Sequence, residues 1–284
     1  MRSGVTNSLE RTLVILEMLD RNPGGLRNTD ISRRLGIPKS TCSYILSRLA
    51  HRGYLGLNRQ SGRYHLGLAM VALAHGALRE VGVRSIAEPA LYRLAAETGL
   101  SAGIGVLERG RVLIIDRVEG SEFVRDAVHD ADASARSGSG AGSKYRVRED
   151  RDIGRTLPAH TTALGKVLLA SLPRQEVIAR IAETGLARRT RKTVVNAAQF
   201  LRELDVVERQ GYATADQEHH SGIRSMAAPI VTAAGAVGAA VALNGGVAEA
   251  AWRDPDALAE KVKAAGREIS RRARFQLNRF DFVQ

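Results

Sequence analysis

The sequence predicts an α+β chain in two parts: a small basic helical module carrying a two-stranded hairpin, then a larger module in which antiparallel strands interleave with helices. Three observations point there. Residues 29–54, TDISRRLGIPKSTCSYILSRLAHRGY, read as two short helices about a tight turn. From Ser101 onward the apolar period changes from helical to strand-like, with turn residues between the runs. Charge is also uneven: the chain carries +12, and residues 1–66 hold 11 Arg+Lys against 4 Asp+Glu, so +7 of that excess. A basic module of this kind is the electrostatic footprint of a polyanion binder, although charge alone does not separate DNA from RNA or an anionic membrane.

Taken in order, residues 8–21 predict a helix capped by Ser8, with Leu9, Leu13, Ile15, Leu16 and Leu19 for burial, and Pro23-Gly24-Gly25 ends it. In the next helix Ile31 and Leu35 share a face, and Gly36 stops it. Pro38 suits the first position of the third, where Cys42, Ile45, Leu46 and Leu49 fall in one apolar sector. Opposite them stand Ser40, Ser43, Tyr44 and Ser47, with Lys39 and Thr41 at the start and Arg48 on the flank. No carboxylate occurs between Asp30 and Leu66. Small hydroxyls let a helix approach phosphates and base edges closely, and Arg or Lys donates to guanine or phosphate. This is the helix-turn-helix pattern, whose second helix enters the major groove of DNA; the plainer reading is an ordinary helical hairpin.

The residues beyond Gly53 favour the DNA-reading version. Tyr54–Leu57, the turn Asn58–Gly62 and Arg63–Leu66 predict a strand, turn and strand, a wing with Arg59 at its tip and Arg63 on its return strand for the phosphate backbone. The alternative for the wing is a merely solvated hairpin. We place this module at 1–67. We assign 68–82 as a linker; its Ala/Leu-rich helical stretch, Leu68–Val81, is too apolar for a free linker and predicts burial against a second copy.

The larger module, 83–284, opens with a helix over Val83–Thr98 that Pro89 interrupts or ends. Ser101–Leu107 and Val112–Val118 predict a hairpin about Glu108–Arg111. Ala133–Ser143 is Gly/Ser/Ala-rich and predicts a flexible loop, with a strand at Tyr145–Arg148. Leu157–Ala170 predicts a loop entering a helix; further helices are expected at Arg174–Thr184, Ala197–Gln210 and Asp256–Leu277, and strands at Tyr212–Asp216, Ser225–Val231 and Val237–Leu243. The uncharged run Met226–Leu243 contains Pro229, Gly235 and Gly238 and reads as a buried hairpin, not a membrane span. The opening segment lacks a secretory pattern, so a cytoplasmic protein is expected. One cysteine excludes an internal disulfide framework, and Cys42 on its apolar face reads as a packed hydrophobe.

Two motifs remain: LPAHTTALGKVLLA at 157–170 and GYATADQEHHSGIRSMAAPI at 211–230. Together with the winged module at 8–66 they resemble the IclR family of bacterial transcriptional regulators over nearly the whole chain. The resemblance implies a linker helix used in dimerisation, assembly as dimers or tetramers, and a C-terminal GAF/PAS-like domain, an antiparallel sheet with helices, that binds a small effector. It places the pocket at the loop and helix start His160, Thr161, Thr162, Ala163, Leu164 and Gly165, and at the segment Gly222–Ser225. Here Ser225 replaces the family's usual cysteine, and residues near 129–147 look like an insertion. Asp216-Gln217-Glu218 with Gly222–Ser225 looks like the subgroup sensing aromatic acids and β-ketoadipate-pathway metabolites, whereas Glu218-His219-His220 looks like the general family.

The residues support a carboxylate ligand independently, because the amides at a helix start favour anions. Thr161 and Thr162 supply hydroxyls and Ser225 another, while Leu164 and Ile223 supply apolar walls; the bland alternative is that the threonines merely cap the helix. A keto acid or aromatic acid fits, with no other cofactor expected. Asp216 and Glu218 would repel it, so at least one is expected to turn toward Arg224 or another base while the other accepts from a ligand hydroxyl.

An enzyme would use His160, His219, His220, Asp216 and Glu218, but no Gly-x-Ser-x-Gly elbow, phosphate loop or dinucleotide fingerprint is present. Adjacent His219 and His220 would point to opposite faces of a strand, which disfavours a metal site. The competing class is a DNA-binding architectural protein with no effector. The expected regulator is a homodimer or pair of dimers on a pseudo-palindromic operator in double-stranded DNA.

Overall fold

The computed structural model describes residues 7–80, 82–120 and 153–276. The flexible loop expected at 133–143, the strand at 145–148 and Leu277 lie outside the described residues. Two compact units divide at Val81/Gly82, so the expected linker helix is grouped with the first.

The first unit runs α1 (Ser8–Asp20), β1 (Leu26–Arg27), α2 (Asn28–Leu35), α3 (Lys39–His51), β2 (Leu55–Asn58), β3 (Arg63–Leu66) and α4 (Ala69–Glu80). Its strands form an antiparallel sheet in the order β1-β3-β2. Asn7, not Ser8, caps α1, because its Oδ1 reaches the Glu10 amide at 2.8 Å. Pro38 likewise precedes the helix as cap of α3, its ψ of 142° being extended. Ile15, Leu19, Ile31, Cys42, Ile45 and Leu46 form the core. Leu9 and Leu13, expected inside, are 70% and 49% exposed. At 100° per residue they lie across the helix from Ile15 and Leu19, and a core this small occupies only one side of α1.

The second unit begins with α5 (Val83–Thr98), β4 (Ser101–Glu108), β5 (Arg111–Val118), β6 (Thr156–Pro158) and a 3-10 turn at Ala159–Thr161. It continues with α6 (Ala163–Ala170), α7 (Arg174–Thr184), α8 (Ala197–Gln210), β7 (Ala213–Asp216), β8 (Ile223–Val231), β9 (Val237–Gly246) and α9 (Pro255–Gln276). The helix α5 passes through Pro89 without a break, giving up only the bond to the Ser85 carbonyl. Arg109 and Gly110 both have positive φ, 47° and 73°, as a two-residue hairpin with the strands' own twist requires.

All six strands pair antiparallel in the order β6-β5-β4-β9-β8-β7. Helices α6, α7 and α8 cover one face, where Ala213, Ala215, Ala227, Ala240 and Ala242 meet Leu164, Val167, Leu168 and Phe200. Small side chains there let α6 lie close. Gly105 belongs to the same design: a Cβ would stand 2.9 Å from Val112 Cγ1 and 3.2 Å from Leu164 Cδ1. Helices α5 and α9 pack on the opposite side of the sheet. Beyond Ala227 the edge of β8 has no strand partner among the described residues; Pro229 offers no amide and Ser270 Oγ accepts from Val231 N at 2.8 Å. Such blunting prevents edge-to-edge pairing.

Candidate functional sites

In the first unit, α3 presents Lys39, Ser40, Tyr44, Ser47 and Arg48 to solvent, while Thr41 and Ser43 are half-buried. Tyr44 is 66% exposed, although a tyrosine ring would normally shelter. The opposite face supplies the core, and burial pushes the Cys42 thiol up, as suits a packed hydrophobe. Asn28 ties α2 to α3 by donating from Nδ2 to the Lys39 carbonyl at 3.3 Å.

At the wing, Asn58 Oδ1 accepts from the amides of Gln60 and Ser61, both at 3.0 Å, which shapes the turn and leaves Arg59 exposed. Arg63 is less free than its strand position implies: Nη1 donates to the Gly25 carbonyl at 2.8 Å. Sequence reasoning missed Arg27, whose Nε donates to the Ser61 carbonyl at 3.0 Å and holds the wing to the start of α2. Its signal was a cation directly before that helix.

In the second unit, the two motif segments meet. Thr162 caps α6, its Oγ1 accepting from Gly165 N at 3.1 Å, and so performs the blander of its two roles. Gly165 lies against Ala159, where a Cβ would come within 2.1 Å of the carbonyl oxygen, so no side chain fits. Thr161, fully buried, donates to the Pro158 carbonyl (3.0 Å) or shares a bond with His219 Nδ1 (2.9 Å). His160 is held by the Ala187 carbonyl at 3.0 Å and sits edge-on to Phe200. These three side chains therefore build the loop; among the described residues the amides of Ala163 and Leu164 are left as first-turn donors.

A buried lysine that the sequence reading overlooked joins the segments more strongly. Lys166 Nζ lies 2.6 Å from Glu218 Oε1, 3.0 Å from Glu203 Oε2 and 3.2 Å from the Thr214 carbonyl. Its signal was a lone cation inside the apolar run ALGKVLLA. Glu218 is itself buried; desolvation pushes its carboxyl up despite Lys166, and its Oε2 has no partner among the described residues. Thr193 Oγ1 donates to the Glu218 carbonyl at 2.7 Å, fixing the loop from a third side. Burial, assisted by the neighbouring cations, depresses His219 to about 3, so it is neutral at physiological pH. His219 and His220 are not on opposite strand faces; they lie in a loop with rings edge to face, 4.4 Å apart. Among the described residues no three metal-ligating side chains cluster.

Asp216 turns away, as one of the two carboxylates was expected to. It pairs with Lys192 at 2.6 Å and Arg224 at 3.2 Å, and the Lys192 contact, ahead of Arg224, holds its carboxyl below the usual range. Strand alternation puts Asp216 and Arg224 on one face of the sheet and Ala215, Ile223 and Ser225 on the other. Ser225 stands directly opposite Asn244 of β9, on the face that α6 covers. Neither side chain has a hydrogen-bond partner among the described residues, and Asn244 is a further residue missed from sequence. It sits in a glycine-rich strand end, NGG, that reads locally as a turn.

Two family models match: the IclR helix-turn-helix domain over residues 8–58 and the bacterial transcriptional regulator IclR C-terminal domain over 141–271. The chain belongs to the IclR family of transcriptional regulators. It is 28% identical to the HTH-type transcriptional regulator XynR of Escherichia coli over 267 residues, 94% of this chain and 97% of that one. An IclR-type regulator from Alicyclobacillus acidocaldarius has the same fold at a TM-score of 0.74 and 24% identity, covering 94% and 98% of the two chains. An IclR homologue from Microbacterium hydrocarbonoxydans, solved in complex with 4-hydroxybenzoate, aligns at 0.71 and 23% identity over 94% and 99%. Membership makes the first unit a DNA-binding helix-turn-helix. No helix among the described residues is long and apolar enough to cross a membrane.

Proposed function

We propose that this IclR-type regulator binds a small organic acid, a keto or aromatic acid, which modulates its hold on a pseudo-palindromic operator read by two winged modules. The observation that carries the ligand is the opposed pair Ser225 and Asn244. Ser225 is buried and Asn244 half-buried, both lie on the face that α6 covers, and neither side chain is engaged by another described residue, which leaves their hydrogen-bonding groups available to a ligand. The free amides of Ala163 and Leu164 at the positive end of α6 suit a carboxylate, and Leu164 and Ile223 give apolar contact. The 4-hydroxybenzoate complex of the Microbacterium homologue supports the same ligand class. On the DNA, Lys39, Ser40, Thr41, Ser43, Tyr44, Ser47 and Arg48 face the groove and Arg59 the backbone, with Arg63 and Arg27 setting the wing. Regulation requires the acid to bind the operator-competent and incompetent states unequally.

The protein supplies its own reporter. Its one tryptophan, Trp252, is buried with the Arg224 guanidinium 5.8 Å from the ring centre, and Arg224 adjoins Ser225. Titration with pyruvate, 4-hydroxybenzoate and their uncharged amides should change Trp252 fluorescence for the acids and not the amides. Binding of amines or neutral sugars in place of acids would overturn the carboxylate assignment. No response to any compound, with no rise in melting temperature, would favour a DNA-binding protein without an effector.

A further inference from the structure

Beside Asn244, in register with it but not bonded to its side chain among the described residues, Ser101 begins a series of polar contacts that runs along β5 and ends at the first turn of the second unit. Asn244 lies opposite Ser225 on one side and Ser101 on the other, so the three side chains share a face across β8, β9 and β4. Ser101 is fully buried; its Oγ donates to Glu119 Oε2 at 2.7 Å and accepts from Gly120 N at 3.3 Å. Glu119 pairs with Arg117 at 2.6 Å. The main-chain amide of Arg117 donates to Asp116 Oδ1 at 2.9 Å, and Asp116 Oδ2 accepts from Arg84 Nε at 3.2 Å. Arg84 is the second residue of α5, two positions after Gly82, where the second unit begins.

We propose that Asp116 is a positioning residue that couples the Ser225–Asn244 face to the head of α5, and through it to the segment joining the two units. Asp116 is buried, with 8% of its surface exposed, and a buried carboxylate must keep its donors. One oxygen is bound to the strand that carries Arg117 and the other to α5. A displacement of β5 at Arg117–Glu119 therefore moves Arg84 or breaks a buried charge-assisted bond, and neither outcome is silent. Successive residues of β5 point to opposite faces, which is how a signal on the α6 side reaches the α5 side without a cavity between them. A mere staple of α5 to the sheet would need Asp116 and Arg84 but not Ser101 or Glu119. The inference rests on the effector reading for its biological use, but its test does not need a ligand.

The test is a double-substitution cycle on the full-length chain, using an operator selected by the wild type from a random duplex pool. Ser101→Ala should change operator Kd by about threefold or more, and by less than about 1.5-fold in an Arg84→Gln background, since the line is already cut. Glu119→Gln, which keeps shape, cuts the line one bond further on and replaces Ser101→Ala should that variant fail to fold. Asp116→Asn should abolish either response as Arg84→Gln does. An unchanged Kd for both Ser101→Ala and Glu119→Gln, or the same factor in both backgrounds, overturns the proposal. Non-additivity in a chain whose Trp252 ignores every acid overturns the effector reading alone; acid-responsive fluorescence with additive effects overturns this inference alone.

Discussion

The two units carry their candidate functional groups in opposite ways. On α3 the groups are exposed and mostly unengaged: Tyr44 is 66% accessible. Around α6 they are buried and bonded to one another, with Thr161 at 0%, Lys166 at 3% and Glu218 at 8%. Water satisfies the first set, so each residue contributes little to folding and, on the proposed reading, is available to DNA. The second set was desolvated when the chain folded, so its members must satisfy each other and most are structural. Among the described residues, what folding left unpaired around this helix is a small remainder: Ser225, Asn244, two amides, Glu218 Oε2 and His219 Nε2. Conservative substitutions should therefore affect affinity in one unit and stability in the other.

The largest effect expected is at Lys166. Lys166→Met leaves Glu218 and Glu203 without their shared cation and should cost about 3–5 kcal/mol in urea unfolding. A loss under about 1 kcal/mol would mean that the triad is not a structural centre, and the contrast between the units would fail. Next, Tyr44→Ala combined with Arg48→Ala should weaken operator binding by about 1–3 kcal/mol for a base-reading contact. Its unfolding free energy should stay within about 0.5 kcal/mol of the parent, as for surface changes generally. Unaltered operator affinity in that folded variant would remove α3 from the interface.

The third concerns pH. His219 titrates near its ordinary 6.5 in the unfolded chain and at about 3 in the fold. Between these values the unfolded chain binds a proton that the fold excludes, so the contribution is fully present above 6.5 and is lost as pH falls toward 3. His160 is depressed in the same direction by burial. From pH 6.5 to 5 the fold should lose about 1–2 kcal/mol from His219, and His219→Asn should flatten that slope in calorimetry. The smallest is Thr162→Ala, which removes the α6 cap and should cost about 1 kcal/mol. If it abolishes acid binding while stability is barely changed, Thr162 contacts the ligand directly and its capping role is secondary.

Much of this was legible from periodicity. The α3 face could be read residue by residue because a helix exposed on one side shows its contacts in a single stretch of sequence, as Lys39, Tyr44 and Arg48 do. The hairpins and the helices at 174–184 and 197–210 announced themselves through turn residues and apolar spacing. Misreadings came where a neighbour outranked local preference: Leu9 and Leu13 look like core until the helix phase is set against one small cluster. Lys166 was overlooked because a lysine in an apolar run reads as a surface residue unless its carboxylates are known, and Glu203 and Glu218 lie 37 and 52 residues away.

Local pattern by itself determined the architecture, the exposed polar face of α3 and the two motif segments, since each depends on residues within a turn or two of one another. Tertiary structure alone decided which polar groups are satisfied. Thr162 became a cap, Asp216 turned to Lys192 and Arg224, and Asn244 came to stand across from Ser225. Those outcomes depend on strand register and on charges brought together from distant positions, and hydrogen bonds form between groups close in space whatever their separation along the chain.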